Sequence, residues 1–445
     1  MFIDEVAFDK AARPDHIVPE FTISSKACIT RRFVNLQIYM WSMSSVFWRM
    51  VYKYAFLLYV FSLVGLILVS PLYGDPAVVF WTAKVMKITG FPYDPVCSKN
   101  VQALCVRSPL YYFLLALADN YYRVMLATLL LAFLFFQIRI ARGSSNLVLP
   151  GLMFPPIYLL FSRTYVDALT ALLATVLVWA LSEASRRATV IVFIASAMLV
   201  LTRETFLTIP LFITLLVVFR VSKKLAGFMA AGWALGLVVY ALFLAASGGN
   251  NYSDFQPHIP SFNELYKAVY SVFTPVLPWE VLEQDVVHYM SVFGVSINQQ
   301  PYFLPTFFHS IQAVLHIIPM VFILPIILSA RSVLSVNKVL RAQFFYGLFI
   351  AGGLLFLKGD LDFFRHTAFL IPSVSVMVSD GVQRLRGWNK SFATFIMMFS
   401  LLVFIMYYLR TLRSFFLGYE FDACAYLMKR VEIRDIWFFR SAACG

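Results

Sequence analysis

Charge is what this sequence has least of. Charged residues make up 13% of its 445 positions and hydrophobic residues 61%, too little polar surface to clothe a water-soluble globule of that size. Glycine-rich phosphate loops are missing as well: neither G-x-G-x-x-G nor a Walker loop occurs, so no helix N-terminus is set up to cradle a nucleotide. The connections that carry the basic clusters hold about five to fifteen residues, against the roughly 100 that a nucleotide-binding domain takes. Any activated group must therefore come from the membrane or from the far side of it. There is no C-x-x-C, no H-E-x-x-H and no pair of histidines at ligand spacing, which argues against a structural zinc site. The absence of G-x-S-x-G leaves His258 and His288 without a partner for hydrolytic chemistry. His366 beside Arg365 reads as an interfacial polar residue. No internal repeat or low-complexity tract stands out.

What is present is a series of apolar runs. Eleven are long enough to be candidate membrane helices, at 54–72, 122–138, 147–162, 166–182, 188–202, 205–219, 225–246, 306–329, 343–357, 366–382 and 391–409. The expected fold is therefore all-α, a polytopic membrane protein of about eleven transmembrane helices. The net charge of +13 does not point to nucleic acid, because Lys and Arg fall in short clusters between the apolar runs rather than on one arm or face. They read as topology signals. Lys10, Arg13, Lys26, Arg31, Arg32 and Arg49 precede the first run with no signal-peptide pattern, so the N-terminus is expected inside. Every second connection then falls inside, and each of these is short and basic, from Arg139 and Arg142 to Arg384, Arg386 and Lys390.

Three regions follow. Residues 1–53 form a cytoplasmic or interfacial segment, in which Met40 to Arg49 suggests an amphipathic surface helix. Residues 54–409 form the membrane domain, with long extracytoplasmic segments at 73–121 and 247–305. Residues 410–445 form an extracytoplasmic tail. The segment 247–305 opens on the turn cluster Gly248-Gly249-Asn250-Asn251 and is expected to carry surface helices that act as a lid or a scaffold. The five cysteines fit this layout. Cys97 and Cys105 share the first outside segment, Cys424 and Cys444 share the tail, and Cys28 lies inside. Two outside disulfides suit an oxidising exterior; four unpaired small residues are the alternative.

The charges assigned to the outer half are costly to keep near a bilayer and so mark a site. They include Asp75, Asp94, Lys84, Lys87 and Arg107; Arg163 and Asp167; Arg203 and Glu204; and Lys358, Asp360, Asp362 and Arg365. Asp75 precedes Pro76, a good helix start, and capping is compatible with catalysis. Arg163 and Asp167, four apart, would share a helical face and can simply pair with each other. Arg203 and Glu204 can be read as the cap of a helical hairpin. Tyr73, Tyr93, Tyr111 and Tyr112 offer rings to a sugar, or sit at the interface for solvation alone.

The run from an apolar first span to Asp75, then SPLYYFLLALA, FPPIYLLFSRTYVDALTALLATVLVWAL and AMLVLTRETFLTIPLF, resembles the GT-C superfamily of integral-membrane glycosyltransferases. The nearest branch is that of the lipid A aminoarabinose transferase and the protein O-mannosyltransferases. The likeness runs in order over residues 54–220, and more loosely through DLDFFRHTAFLIP, ending at Pro372. It implies a sugar donor carried on polyprenyl phosphate, a lipid, glycan or protein acceptor, and a site on the extracytoplasmic side. It also implies roles: Asp75 as general base, Asp167 as a second acid close to it, and Arg203 and Arg365 on the donor phosphate. Lys358 stands in reserve for the phosphate, and Asp94, Tyr93, Tyr111, Arg163 and Glu204 are expected around the substrate. Relatives often carry paired acids in the first loop; here Asp94 is the next acid after Asp75, which leaves open whether a divalent cation, Mg or Mn, takes part. Two other readings share this architecture: a transporter or flippase of lipid-linked sugar, and a polymerase or ligase of lipid-linked glycans. The first predicts two related halves, which the sequence lacks.

Overall fold

The computed structural model describes residues 54–70, 72, 75–98, 103–142, 148–183, 185–251, 261, 318–358, 367–416, 422–430 and 433–444. The expected surface helix before Arg49 and nearly all of the expected lid, 252–305 apart from Ser261, lie outside them. The chain divides into two compact units, Met1–Val60 and Phe61–Gly445; the described part of the first, residues 54–60, is helical.

The architecture is almost wholly helical. In chain order the helices are α1 (Tyr54–Val69), α2 (Asp75–Thr89), α3 (Pro109–Ala118), α4 (Tyr122–Arg142), α5 (Leu149–Leu152), α6 (Pro155–Phe161), α7 (Val166–Glu183) and α8 (Arg186–Thr202). They continue with α9 (Ile209–Val218), α10 (Lys223–Ser247), α11 (Ile318–Val336), α12 (Lys338–Lys358), α13 (Ile371–Trp388), α14 (Lys390–Phe416), α15 (Ala423–Met428) and α16 (Trp437–Cys444). Boundaries follow local chemistry. Ser185 caps α8 by accepting from the Ala188 amide at 3.1 Å, Asn337 caps α12 through the amides of Val339 and Leu340 at 3.0 Å, and Gly248 closes α10 at φ 63°.

Among the described residues four helical stretches are long and apolar enough to cross a membrane: Pro109–Ala141, Val166–Glu183, Lys223–Ser247 and Lys390–Leu409. Three shorter apolar helices, Tyr54–Val69, Thr205–Val218 and Val321–Val336, accompany them. Exposed Leu235, Val238, Val239 and Leu242 on α10, with Met398, Leu402 and Leu409 on α14, give these helices the outward apolar faces of a membrane protein. Several expected spans take another form. The described part of the expected span 147–162, from Val148 on, is two short pieces, α5 and α6, because Phe154 lies before Pro155 and Pro156 and is held extended there. The end of the first expected loop is α3, which leads through the 3-10 turn Asp119–Tyr121 into α4 as one apolar run.

Helix α7 forms the heart of the bundle, buried along most of its length. Helix α13 is likewise buried from Ile371 to Ser379, and its polar groups are met by its neighbours: Ser329 donates to the Met377 carbonyl at 2.6 Å, and Ser379 to that of Val148 at 3.2 Å. Helices α8 and α10 lie backbone to backbone, since Gly232 and Gly236 rest against Phe193 and Ala197.

A second, smaller core caps the bundle. Trp81 and Val85 of α2, Tyr93, Val106, and Leu427, Ile433, Ile436, Phe439 and Ala442 of the tail pack together. Strand β1 (Cys105–Val106) pairs in parallel with β2 (Asn250–Asn251), and the Tyr93 hydroxyl donates to the Ser247 carbonyl at 2.6 Å. Parts of the first loop, the start of the 247–305 segment and the tail, which the charge pattern assigns to one face, thus share one structure. Disulfides Cys97–Cys105 and Cys424–Cys444 brace its two ends.

Candidate functional site

The site is built where a helical hairpin meets α2 and α3. After α6 the chain turns through Ser162–Thr164 and enters α7, which puts Asp167 in the first helical turn. It returns in α8, which ends at Arg203 in extended backbone, φ −158° and ψ 136°. Because α7 and α8 pack as antiparallel neighbours, the start of one meets the end of the other, and Arg203 Nη1 forms an ion pair with Asp167 Oδ1. The anion sits at a helix N-terminus and the cation at a helix C-terminus, so each offsets the partial charge of its own helix as well as its partner. Asp167 is fully buried, while 16% of the Arg203 side chain remains exposed.

Three further groups lie on the elements next to this pair. Thr164 donates from Oγ1 to the Pro76 carbonyl at 2.6 Å, fastening the first turn of α2, which Asp75 opens, to the turn that leads into Asp167. The Tyr111 ring on α3 is fully buried and meets Tyr112 edge-on at 6.3 Å. Among the described residues the Tyr111 hydroxyl has no hydrogen-bond partner, and its helix packs on α7 and α8. Thr170, one turn along α7 from Asp167, is also buried with an unpartnered hydroxyl.

The structure thus brings Asp167 and Arg203 together, with the backbone of Pro76 tied to the turn before Asp167 and α3, which carries Tyr111, packed on α7 and α8. The side chains of Asp75, Glu204 and Lys358, and all of Arg365, lie outside the described residues. Asp167 pairs with Arg203, a partner the spacing of four to Arg163 did not suggest. Arg163 sits in the turn before α7 rather than on its face, so the one-turn spacing rule does not apply to it. Tyr93 and Asp94, expected beside the substrate, are engaged in the cap. The Tyr93 ring packs on Phe438 at 5.5 Å, and its burial raises the phenol pKa above the ordinary value. Asp94 Oδ2 accepts from Arg107 Nε at 2.7 Å and Oδ1 from the Val96 amide at 2.7 Å, which shapes the turn that the Cys97–Cys105 bridge closes.

Thr164 and Thr170 escaped the sequence reading. Threonine in an apolar helix is ordinarily satisfied by the carbonyl four residues back, as Thr175 and Ser182 on the same helix are at 2.7 and 2.9 Å. No local pattern marks Thr170 as the exception. Among the described residues no group of three or more His, Cys, Asp or Glu gathers as a metal site. Compared with family models, curated proteins and solved structures, the chain matches none.

Proposed function

We propose that the chain is an integral-membrane glycosyltransferase of the GT-C kind, with about eleven crossings and an inside N-terminus. It moves a sugar from polyprenyl phosphate to a lipid, glycan or protein acceptor at the extracytoplasmic surface. The observation that carries this reading is the Thr164 to Pro76 hydrogen bond, 2.6 Å. It holds the backbone that bears Asp75 beside the turn leading into the Asp167–Arg203 pair. A carboxylate and a guanidinium at fixed depth are what the chemistry needs. Displacing the prenyl phosphate leaves negative charge on oxygen, which a preorganised cation stabilises, and a guanidinium binds two phosphate oxygens while keeping its charge. Arg203 takes this role, joined by Arg365 and Lys358.

Asp75 removes the proton of the acceptor hydroxyl as the new bond forms. Attack opposite the leaving group inverts the anomeric centre, and Asp167 positions the cation rather than acting as a second nucleophile. The cap, built from segments that the charge pattern puts on one face and braced by two disulfides, suits an oxidising exterior. The test is incubation of purified protein with a panel of prenyl-phosphate sugars and membrane extract, with products read by mass spectrometry. New glycosides that disappear with Asp75→Asn support the proposal; a panel that yields none rejects it.

A further inference from the structure

Helix α2 sets one ring and two cations in a single row. Phe80, Lys84 and Lys87 share a helical face, beside the row that Trp81 and Val85 bury in the cap core. This face meets the Asp119–Tyr121 turn and the start of α4. The Phe80 ring lies 5.0 Å from that of Tyr122, and Lys87 forms an ion pair with Asp119. Each of the two rings also seats a cation. Lys84 Nζ stands 5.4 Å from the Phe80 centroid and Arg123 Cζ 5.4 Å from that of Tyr122, where the negative ring face attracts them. Among the described residues Asp119 is the only acid paired with any of these cations, and it is taken by Lys87; Lys84 and Arg123 pair with none.

The polar turn interrupts an apolar surface. Leu117 and Tyr121 are each 75% exposed, and Val124, Leu131 and Phe135 continue an exposed row along α4. All lie in the run Pro109–Ala141, which is long and apolar enough to cross a membrane. Cations beside a polar step in such a surface stand at headgroup depth, while the apolar row next to them meets acyl chains. We infer that Lys84, Lys87 and Arg123 form a docking site for the headgroup phosphate of an anionic membrane phospholipid, whose acyl chains run along the exposed row of α4. Ammonium and guanidinium groups donate charge-assisted hydrogen bonds to phosphate oxygens. The rings hold Lys84 and Arg123 in place before the lipid arrives, so less side-chain freedom is lost on binding. A zwitterionic headgroup brings a cation of its own and is disfavoured beside them. The site shares no residue with the Asp167–Arg203 pair and stands whether or not the chain transfers a sugar.

The experiment places full-length protein in nanodiscs of phosphatidylcholine with phosphatidylglycerol as the minor component, and native mass spectrometry counts the lipids that stay on the protein. Wild type is expected to retain phosphatidylglycerol in preference to phosphatidylcholine. Lys84→Gln together with Arg123→Gln should cut that preference about thirtyfold, the worth of two cations at an anionic surface, at an unchanged melting temperature, since neither cation has an acid partner to lose. Asp119→Asn removes the competing carboxylate, keeps a residue that tolerates the φ of 45° found there, and should raise the preference. Phe80→Leu keeps every charge and should lower it about threefold through the lost ring seat. Arg434→Gln with Arg440→Gln, exposed cations of the tail, serves as the control and should leave it unchanged. A loss of equal size in the tail control, or a wild-type preference in the Lys84 and Arg123 double variant, overturns the site. So does displacement of phosphatidylglycerol by inorganic phosphate, which would make a soluble anion the occupant.

Discussion

Asp167 opens helix α7 and Arg203 closes helix α8, and the ion pair between them joins a fully buried carboxylate to a guanidinium that keeps a partly exposed edge. That asymmetry sets what each substitution costs. Arg203→Ala takes the guanidinium from a fully buried carboxylate, whereas Asp167→Ala leaves a cation that reaches the surface. Breaking a buried pair typically costs roughly 3–5 kcal/mol. Arg203→Ala is expected within that range, and Asp167→Ala below it. Unfolding in detergent checks the order.

The contact between α8 and α10 gives a second prediction. A Cβ on Gly236 would lie 2.7 Å from the Ala197 carbonyl oxygen, and one on Gly232 would run into Phe193, while one on Gly227 meets nothing within 4 Å. Gly232→Leu should force the helices apart and cost about 3 kcal/mol or more. Gly227→Ala should be neutral or stabilising by up to about 1 kcal/mol. Thermal melts of the two variants side by side test this, and equal losses would refute the close approach.

The bridge Cys424–Cys444 closes a loop with a sequence separation of 20, and Cys97–Cys105 one of 8. Chain entropy assigns the longer bridge about 3 kcal/mol and the shorter somewhat less. Replacing both cysteines of the tail bridge by serine should release α15 and α16 from the cap core before the bundle melts. Hydrogen exchange over residues 423–444 reads this directly, with faster exchange there and unchanged exchange in α7.

Much of the helix placement was legible in the sequence, because an apolar run in a chain this short of charge has few other fates. Length and continuity were harder. The apolar run 147–162 hid the Phe154–Pro155–Pro156 break, and the polar Asp119-Asn120 step hid that α3 and α4 form one run. The pairing of Asp167 escaped for a different reason. A spacing of four residues favoured Arg163 on paper, but α7 starts only at Val166, and the true neighbour is Arg203, 36 residues on. Contacts across a hairpin depend on where its helices begin and end, which periodicity leaves loose by several residues.

The cap should also respond to alkali. The Tyr93 phenol is held above its ordinary value by burial, so below about pH 10 both folded and unfolded chains keep the proton and its contribution is complete. As pH rises past that value the unfolded chain ionises first, the folded state binds more protons, and stability falls. Tyr93→Phe should lose about 1 kcal/mol through the hydrogen bond to Ser247 and flatten the alkaline slope. Cap unfolding followed from about pH 9 to about pH 11 measures both.

Proteoliposomes loaded on one side with a labelled polyprenyl-phosphate sugar, and supplied with acceptor lipids, separate group transfer from movement across the bilayer. The account requires a new glycosidic bond of inverted configuration in wild type and its loss in Asp75→Asn at unchanged folding. Labelled donor crossing the membrane intact with no glycoside formed, or Asp75→Asn transferring as well as wild type, would contradict it.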